Sequence, residues 1–326
     1  MKKIVSVCIC FVLFLTGCSV TNSTGSIKII DQLGRTVELP DVVEKVISGY
    51  YITTTALIGL GQKDKLVGIE MKPESRPIYK ASAPEVLELP QLGNKKMFNV
   101  EECAKLDPDV VFLPISLKNY EDDLEALDIP VIYLNPETDG AFDEALDIIG
   151  KVLNCEDSVQ NFKKYQDNLL NEYTFESDYY PSVYFAGNNI LSAASSEMYQ
   201  NEIIEFANGK NIVTTKGYQW QNLTAESLIQ SNPDFIFIEN GMVNLSDVYS
   251  DSRLQNMNAI QKKNVYLFPS SLETWDTPGL SSCLGKIWAT AILHPNVFTK
   301  EDIKNDSVQF YKEFFGFEPT REQLGF

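Results

Sequence analysis

The chain has 326 residues, of which 44% are hydrophobic, and a formal net charge of -18 at pH 7. A mature length of about 300 residues exceeds the usual size of one hydrophobic core, so two lobes are expected, and the hydrophobic content is ordinary for a globular protein. The excess of acidic side chains would repel phosphate backbones, which argues against nucleic acid as a partner.

Residues 1–17 are predicted to be an export signal. Lys2 and Lys3 give a positive start, and the apolar stretch at residues 4–15 is too short for a permanent transmembrane anchor. The sequence Leu15-Thr16-Gly17-Cys18 resembles the bacterial lipobox, in which the cysteine is acylated and becomes the first mature residue. We therefore expect a lipid anchor, palmitate included, on Cys18 at the extracytoplasmic face of the cell membrane, and a flexible tether over residues 18–26.

Beyond the tether, short runs rich in Val, Ile, Phe and Tyr alternate with helical patterns. This alternation predicts an α/β fold, with mainly parallel sheets in two lobes. In the first lobe, residues 27–154, strands are predicted at residues 45–48, 66–70, 109–113 and 131–134. In the second lobe, residues 175–326 with a helical C-terminal tail, they are predicted at residues 182–186, 235–239 and 265–268.

One long helix, residues 155–174, is predicted to join the lobes. Its apolar residues are spaced so that they form one stripe: Val159, Phe162, Tyr165, Leu169, Leu170 and Tyr173. At 1.5 Å per residue the helix would be roughly 27 Å long, enough for a rigid connection between two lobes. An ordinary surface helix is the alternative that the periodicity leaves open.

The two halves share a short motif before one of their strands. Asn99 and Thr224 are good helix N-caps, each followed two positions later by a glutamate, and a Pro-Asp pair ends each two-turn helix. A helix that leads into a parallel strand begins near the carboxyl edge of the sheet, where ligand clefts open. Glu101 and Glu226 are therefore expected on the rim of a cleft. A simpler role for either glutamate is to stabilise its helix, because a negative charge near the N-terminus interacts favourably with the helix dipole.

Histidine and cysteine are too scarce for several kinds of site. His294 is the only histidine, whereas zinc and manganese sites generally use several imidazoles, and a Ser-His-Asp hydrolase would need His294 itself. No Gly-x-Ser-x-Gly, P-loop or Gly-x-Gly-x-x-Gly motif is present. Cys103, Cys155 and Cys283 are expected to be packing residues. We expect no enzymatic activity, no catalytic residue, no metal site formed by the protein and no cofactor.

Candidate ligand contacts are side chains in loops that follow predicted strand ends. They form an aromatic and amide-rich set: Tyr50, Tyr51, Arg76, Tyr79, Met97, Asn188, Asn189, Tyr199, Tyr218, Trp220, Asn240, Trp275 and Asp276. Stacking surfaces with neutral hydrogen-bonding groups suit a large or ring-bearing ligand, while a small oxyanion would want helix N-termini or several cations. Any single aromatic residue of this set could belong to the core instead, and Trp288, on an apolar helical stripe, is assigned to packing.

A series of short motifs extends over nearly the whole mature chain. They include Asp31-Gln32-Leu33-Gly34-Arg35, Leu89-Pro90-Gln91-Leu92-Gly93, Asp107-Pro108-Asp109, Ala207-Asn208-Gly209-Lys210-Asn211 and Lys263-Asn264-Val265-Tyr266. In this order they resemble the class III substrate-binding proteins of ABC importers. The resemblance implies two α/β lobes joined by one long rigid helix, with the ligand cleft between them and little closure on binding. It also implies that Glu101 and Glu226 dock on arginines of a permease dimer, which works with ATPase subunits.

The same resemblance implies a metal-chelate ligand, because most proteins with this layout handle iron complexes or corrinoids. We expect a ferric siderophore or haem-like complex first, cobalamin second, and an oxyanion such as molybdate or tungstate third. Only four arginines are present, and Arg76 alone lies in a predicted cleft loop, which weakens the case for a highly anionic ligand. Two other classes stay open: an anchored hydrolase with paired carboxylates, and an adhesin or scaffold without a closed cleft.

Overall fold

Residues 25–241 and 243–326 are described by the structure, a computed structural model. The predicted export signal, Cys18 and most of the predicted tether lie outside these residues. Within them the chain forms two α/β lobes, as the sequence predicts, each with its own sheet. No helix in this part of the chain combines the length and the apolar character needed to cross a membrane.

The sheet of the first lobe is parallel and buried. The lobe contains the strands β1 (Ser26–Ile30), β2 (Thr36–Pro40), β3 (Val46–Ser48), β4 (Leu66–Gly68), β5 (Gly93–Asn94), β6 (Met97–Phe98), β7 (Val110–Pro114) and β8 (Val131–Leu134). Four of them form the central sheet in the order β4-β3-β7-β8, all parallel, at the positions predicted from the sequence. Their continuous Val, Ile and Leu runs fit a sheet that is covered on both faces.

Helices of the first lobe lie between these strands and after the last of them. They are α1 (Tyr51–Gly59), α2 (Pro77–Ser82), α3 (Val100–Leu106), α4 (Glu121–Glu125) and α5 (Asp139–Leu153). Helix α1 begins just after β3, with Gly49 and Tyr50 as the connection, so its N-terminus lies at the carboxyl edge of the sheet. This connection brings Tyr50 and Tyr51 to the edge where ligands bind in α/β folds.

The second lobe has a mixed sheet. Its strands are β9 (Ser182–Ala186), β10 (Ser192–Ala193), β11 (Lys210–Asn211), β12 (Gln221–Asn222), β13 (Phe235–Ile238) and β14 (Val265–Leu267). The order is β12-β10-β9-β13-β14, with β11 paired to β9. Strands β9, β13 and β14 are parallel and occupy the three predicted positions, while β10 and β12 extend the sheet in antiparallel fashion.

The remaining helices belong to the connector and the second half of the chain. They are α6 (Glu156–Glu172), α7 (Tyr199–Phe206), α8 (Ala225–Ser231), α9 (Leu245–Ser250), α10 (Asn258–Gln261), α11 (Ser282–Leu293), α12 (Lys300–Phe315) and α13 (Arg321–Leu324). Helix α6 is the long helix predicted to join the lobes, and its apolar stripe is buried at Val159, Phe162 and Leu169.

Helix α12 returns from the C-terminal part of the chain and packs on α6. The ring centroid of Phe314 lies 5.2 Å from that of Phe162 and 5.1 Å from that of Tyr165. The Phe315 ring also approaches Gly59, at the end of α1 in the first lobe. The two lobes are therefore connected by packing through α12 as well as by the covalent connection through α6.

A partly buried ion pair joins the lobes at another point. Lys286 in α11 pairs with Asp139, the first residue of α5. The backbone N–H of Asp139 also donates a hydrogen bond to Glu202 of α7, at 3.1 Å. A group in the first lobe is thus held by side chains from two helices of the second.

Candidate functional site

A cavity of about 360 Å³ lies between the two lobes. The first lobe lines it with residues from α1 and from the segment that leads into α2, and the second lobe with the loops that follow β13 and β14. The polar residues of its lining are Tyr51, Thr55, Ser75, Arg76, Asn240, Ser270, Ser271, Glu273, Thr274, Thr277 and Ser281. Eight of these eleven residues carry a hydroxyl group. Three of the predicted contacts, Tyr51, Arg76 and Asn240, meet here.

Arg76 provides the positive charge of this cavity. Pro77 follows it, which disfavours a helical backbone at Arg76, and the residue is extended with φ -106° and ψ 95° just before α2. Its guanidinium carbon lies 4.1 Å from the centroid of the Tyr51 ring, a cation-π arrangement. Burial raises the pKa of Tyr51 to about 12, so this hydroxyl is a neutral donor at physiological pH.

A second cavity of about 390 Å³ adjoins the first on the side of the first lobe. It shares Tyr51 and Arg76 with the first cavity, and Tyr50 and Lys95 also line it. The Lys95 ammonium nitrogen lies 4.9 Å from the centroid of the Tyr50 ring. Two cations therefore stand over two neighbouring tyrosine rings on the wall of the first lobe.

Tyr79 lies inside the first lobe, behind this wall, and does not face the cleft. Its ring is fully buried, and its hydroxyl donates a hydrogen bond of 2.7 Å to Glu70. Thr54 donates a second hydrogen bond to the same carboxyl, at 2.6 Å, and burial raises the pKa of Glu70. The prediction that Tyr79 contacts ligand is corrected accordingly, because both its ring and its hydroxyl are used inside the lobe.

The wall of the second lobe is built on a strained backbone. Ser270 has φ +75°, a left-handed conformation that is uncommon for residues other than glycine. Its carbonyl accepts a hydrogen bond of 2.6 Å from the Asn240 amide, and its hydroxyl accepts one of 3.2 Å from the N–H of Leu272. Surrounding contacts hold this conformation in place, which is typical of backbone strain at functional sites.

Two carboxyl groups lie in the same wall. Glu273 lines the cavity, and burial raises its pKa to about 7. Asp276 is buried, and within the described chain neither of its carboxylate oxygens has a hydrogen-bond partner. Burial raises the pKa of Asp276 to about 7 as well, and the nearby carboxyl of Glu239 adds to the shift.

Tyr199 and Trp275 belong to the core, which corrects two more of the predicted contacts. The Tyr199 hydroxyl donates to the carbonyl of Ser282 at 3.2 Å. The indole N–H of Trp275 donates to the hydroxyl of Tyr311 at 2.9 Å, and both rings are buried. Both polar tips find partners inside the lobe, so these rings are not available to stack on a ligand. Trp288 is also buried, so its assignment to packing is confirmed.

Other predicted contacts lie at the surface and do not line either cavity. Tyr218 and Met97 are exposed, and Asn188 and Asn189 form the exposed turn between β9 and β10. Trp220 lies against Gly187, where a Cβ atom would come within 2.8 Å of its ring. Their contact with a ligand remains a prediction.

Glu101 and Glu226 occupy matching places in the two lobes. Each is exposed in the first turn of a seven-residue helix, α3 or α8. Asn99 and Thr224 cap these helices as predicted, each accepting a hydrogen bond of 3.1 Å from the backbone of the third helical residue. Both helices end at a left-handed residue, Asp107 or Asn232.

Most of the hydroxyl groups of the cavity are not among the contacts predicted from the sequence. The segment of residues 269–281 follows a correctly predicted strand, β14, and supplies Ser270, Ser271, Thr274, Thr277 and Ser281. Position after a strand end was therefore the right signal. Within that segment the predicted contacts were Trp275 and Asp276, which are both buried and do not line the cavity.

Cys103, Cys155 and Cys283 are free thiols and are buried, as expected for packing residues. Burial raises the pKa of Cys103 and Cys283 to about 12 and that of Cys155 to about 11. In the part of the chain that the structure describes, no group of three or more His, Cys, Asp and Glu side chains is arranged to hold a metal ion.

This fold and interlobe cavity define a class of protein. Residues 46–272 match the family described as periplasmic binding protein, and the chain belongs to that family. Its members are substrate-binding proteins for transport, and the single long connecting helix is that of the helical-backbone class III proteins of ABC importers. The resemblance inferred from the sequence is confirmed.

Three relatives show what the chain is similar to. The molybdate-binding protein MolA of Haemophilus influenzae is 24% identical over 325 residues, covering 88% of this chain and 90% of MolA. The structure of MolA bound to molybdate gives a TM-score of 0.78 at 21% identity, covering 90% of this chain and 99% of the other.

A periplasmic solute binding protein from Veillonella parvula gives a TM-score of 0.78 at 22% identity, covering 92% of this chain and 95% of the other. The periplasmic heme binding protein HutB of Vibrio cholerae gives a TM-score of 0.66 at 19% identity, with 77% and 99% covered. These likenesses establish the two-lobe fold.

Proposed function

We propose that this protein captures an anionic metal species in the cavity between its lobes and delivers it to an ABC importer. The position of Arg76 carries the proposal. Its guanidinium is stacked on Tyr51 at the wall of a cavity whose other polar groups are mainly hydroxyls and an amide. A guanidinium forms charge-assisted hydrogen bonds to the oxygen atoms of anions, and the hydroxyls can donate to the remaining oxygens.

The cavity favours a compact oxyanion such as molybdate or tungstate over the iron complex that the sequence analysis places first. Its volume of about 360 Å³ is near the lower end of the range of roughly 300–1,000 Å³ for ligand pockets. A ring-bearing ligand is also less favoured, because Tyr79, Tyr199 and Trp275 are core residues and cannot stack on it. Similarity to MolA, a molybdate-binding protein, supports the same choice.

A ferric siderophore or haem-like complex is the second candidate, because the adjoining cavity extends the site. A larger anionic complex could occupy both cavities, with Arg76 shared between them and Lys95 as a second cation. Met71 and Met97 are exposed near this side of the first lobe and would offer apolar contact. Cobalamin has no comparable observation in its favour.

Titration calorimetry of the full chain with molybdate, tungstate, sulfate, a ferric siderophore, haemin and hydroxocobalamin tests the proposal. Arg76→Ala should weaken binding of the preferred anion by about 10–100-fold, the equivalent of one charge-assisted hydrogen bond. Lys80→Ala, which removes an exposed cation of α2 outside both cavities, is the matched control and should change little. Binding of hydroxocobalamin alone would contradict the proposal.

Anchoring and docking complete the proposed role. The lipobox at Leu15-Thr16-Gly17-Cys18 supports a lipid anchor on Cys18, and the matched Glu101 and Glu226 support docking on a permease dimer. Cys18→Ser should reduce partitioning of the protein into the detergent phase. Unchanged partitioning would remove the anchor from the proposal and leave the ligand site unaffected.

A further inference from the structure

Glu273 faces the cavity across from Arg76. Among the described residues that line this cavity, these two are the only charged ones, and they come from opposite lobes. Arg76 acts on Glu273 through space, since no ion pair joins them in the described chain. An anion that enters between them gains an attraction from Arg76 and meets a repulsion from an ionised Glu273.

Burial favours a neutral carboxyl at Glu273 and outweighs the donated hydrogen bonds and the charge of Arg76, which favour the ionised form. Its partner in α12 is Tyr311, which is buried and donates to Glu273 Oε1 at 3.4 Å, a long hydrogen bond. The Tyr311 hydroxyl in turn accepts a hydrogen bond from the indole N–H of Trp275. The group that contacts the Glu273 carboxyl is therefore held in place by the core. Burial raises its pKa to about 7, so both protonation states are accessible near physiological pH.

We propose that Glu273 binds the anionic ligand as a neutral carboxylic acid and takes up one proton from solvent when the ligand enters. The carboxylate and the proton form a carboxylic acid whose O–H donates a hydrogen bond to a ligand oxygen. The repulsive charge is thereby removed and replaced by a donor. This inference rests on the proposed function, because it assumes that the ligand is an anion at Arg76.

Other titratable and charged groups lie in the elements that surround Glu273 and the cavity. They are Arg76 before α2, Tyr51 of α1, Tyr311 of α12, Asp276 of the same segment and Glu239 after β13. Arg76 stays charged, and burial keeps the pKa of both tyrosines above the range considered. Burial also raises the pKa values of Asp276 and Glu239, so substitution must identify the titrating carboxyl.

The sign of the pH dependence follows from the protonation of the free protein. Below its pKa Glu273 already carries the proton, so binding takes up none. Above that pH each further unit makes the protonated form ten times rarer, and affinity for the anion should fall about tenfold per unit. An ionised carboxyl that bound a cationic ligand would produce the opposite trend.

Calorimetric titration of the full chain with molybdate from pH 6 to 8.5, in buffers of different ionisation enthalpy, measures affinity and proton uptake together. Molybdate itself does not titrate in this range. We expect uptake near zero at pH 6 and near one proton at pH 8.5. In Glu273→Gln the uptake and the pH dependence should disappear, whereas in Glu239→Gln, the matched control, both should remain. Thermal melting of each variant establishes that it is folded.

The outcomes separate this inference from the proposed function. Molybdate affinity that is independent of pH, or proton uptake that persists in Glu273→Gln, overturns the role of Glu273 and leaves the anion site intact. Failure of both molybdate and tungstate to bind at pH 6, where Glu273 is already protonated, overturns the oxyanion ligand and the role of Glu273 together.

Discussion

Asp276 combines complete burial with the absence of a hydrogen-bond partner for either carboxylate oxygen in the described chain. An ionised carboxylate in such a place is costly, which is why burial raises its pKa from 3.8 to about 7. The raised pKa means that the folded state holds this proton more tightly than the unfolded state. The stabilisation that comes from this tighter proton binding is therefore complete below pH 4 and is lost as the pH rises through 7.

Replacement of Asp276 by Asn should reveal this loss. The amide cannot ionise, so the free energy of unfolding of Asp276→Asn relative to the parent should rise by about 3 kcal/mol between pH 5 and pH 8, given the pKa values of 3.8 and about 7. Chemical denaturation at the two pH values measures this difference. An equal effect at both would mean that Asp276 is ionised in the native protein at pH 5 or pairs with a cation there.

For individual residues, the sequence predicted which segments lie at the cavity better than it predicted which way their side chains point. Tyr51, Arg76 and Asn240 were correctly placed at the cavity because each lies in a loop or at a helix start near the carboxyl edge of a sheet. Tyr199 and Trp275 lie in similar segments but turn inward. Sequence position alone cannot distinguish these cases, because the direction of each ring depends on core partners such as Tyr311 that are distant in the chain.

Among the elements, helix α11 supports the wall of the cleft directly. A Cβ atom at Gly285 of this helix would collide with the backbone carbonyl of Trp275 and come within 3.0 Å of the Phe268 ring. The segment that supplies the hydroxyls and Glu273 thus packs directly against α11 at Gly285, which has no side chain. Glycine at this helical position serves close packing.

Gly285→Ala should therefore destabilise the protein, although alanine ordinarily favours a helix interior over glycine by about 1 kcal/mol. The clash with Trp275 is with backbone, so we expect a net loss of about 1–3 kcal/mol, as for other overpacked sites, together with weaker ligand binding. Urea denaturation and calorimetry measure the two effects.

Gly140→Ala is the matched control for this substitution. Gly140 also lies in a helix, α5, but a Cβ atom there would meet no atom within 4 Å. This variant should be as stable as the parent or more so. Stabilisation of both variants by similar amounts would show that the cleft segment does not rest on α11.

Element prediction succeeded where apolar runs are long enough to identify a buried strand. Strands β3, β4, β7 and β8 were found for this reason, as were β9, β13 and β14. The two-residue strands β5, β6, β10, β11 and β12 were missed, because so short a run carries no periodicity and depends on pairing with distant residues. The β1-β2 hairpin was missed although it spans two five-residue strands.

For the whole molecule, the matched exposed glutamates of α3 and α8 predict a docking surface that needs both lobes at once. Reversing both charges, in Glu101→Lys with Glu226→Lys, should abolish ligand uptake by cells while ligand affinity of the purified protein stays the same. Opposed cations at the permease would prevent docking, and neither glutamate lines a cavity.

Glu205→Lys with Glu313→Lys is the control for this double reversal. Both residues are exposed, so the control changes the net charge by the same amount at other surfaces. Uptake should remain normal in the control. A loss of affinity in the double variant at Glu101 and Glu226, or normal uptake, would show that these residues do not serve docking.

The three buried cysteines sample three parts of this structure: Cys103 lies in α3 of the first lobe, Cys155 precedes the connecting helix α6, and Cys283 lies in α11 of the second lobe. A thiol reacts with an alkylating reagent as an exposed thiolate, so each cysteine should react only when its own region opens. Mass spectrometry of alkylated peptides would therefore time the opening of each lobe and of the connector separately, with native cysteines as the only reporting sites among the described residues. The order in which the three sites become modified would show whether the molecule comes apart as one unit or lobe by lobe.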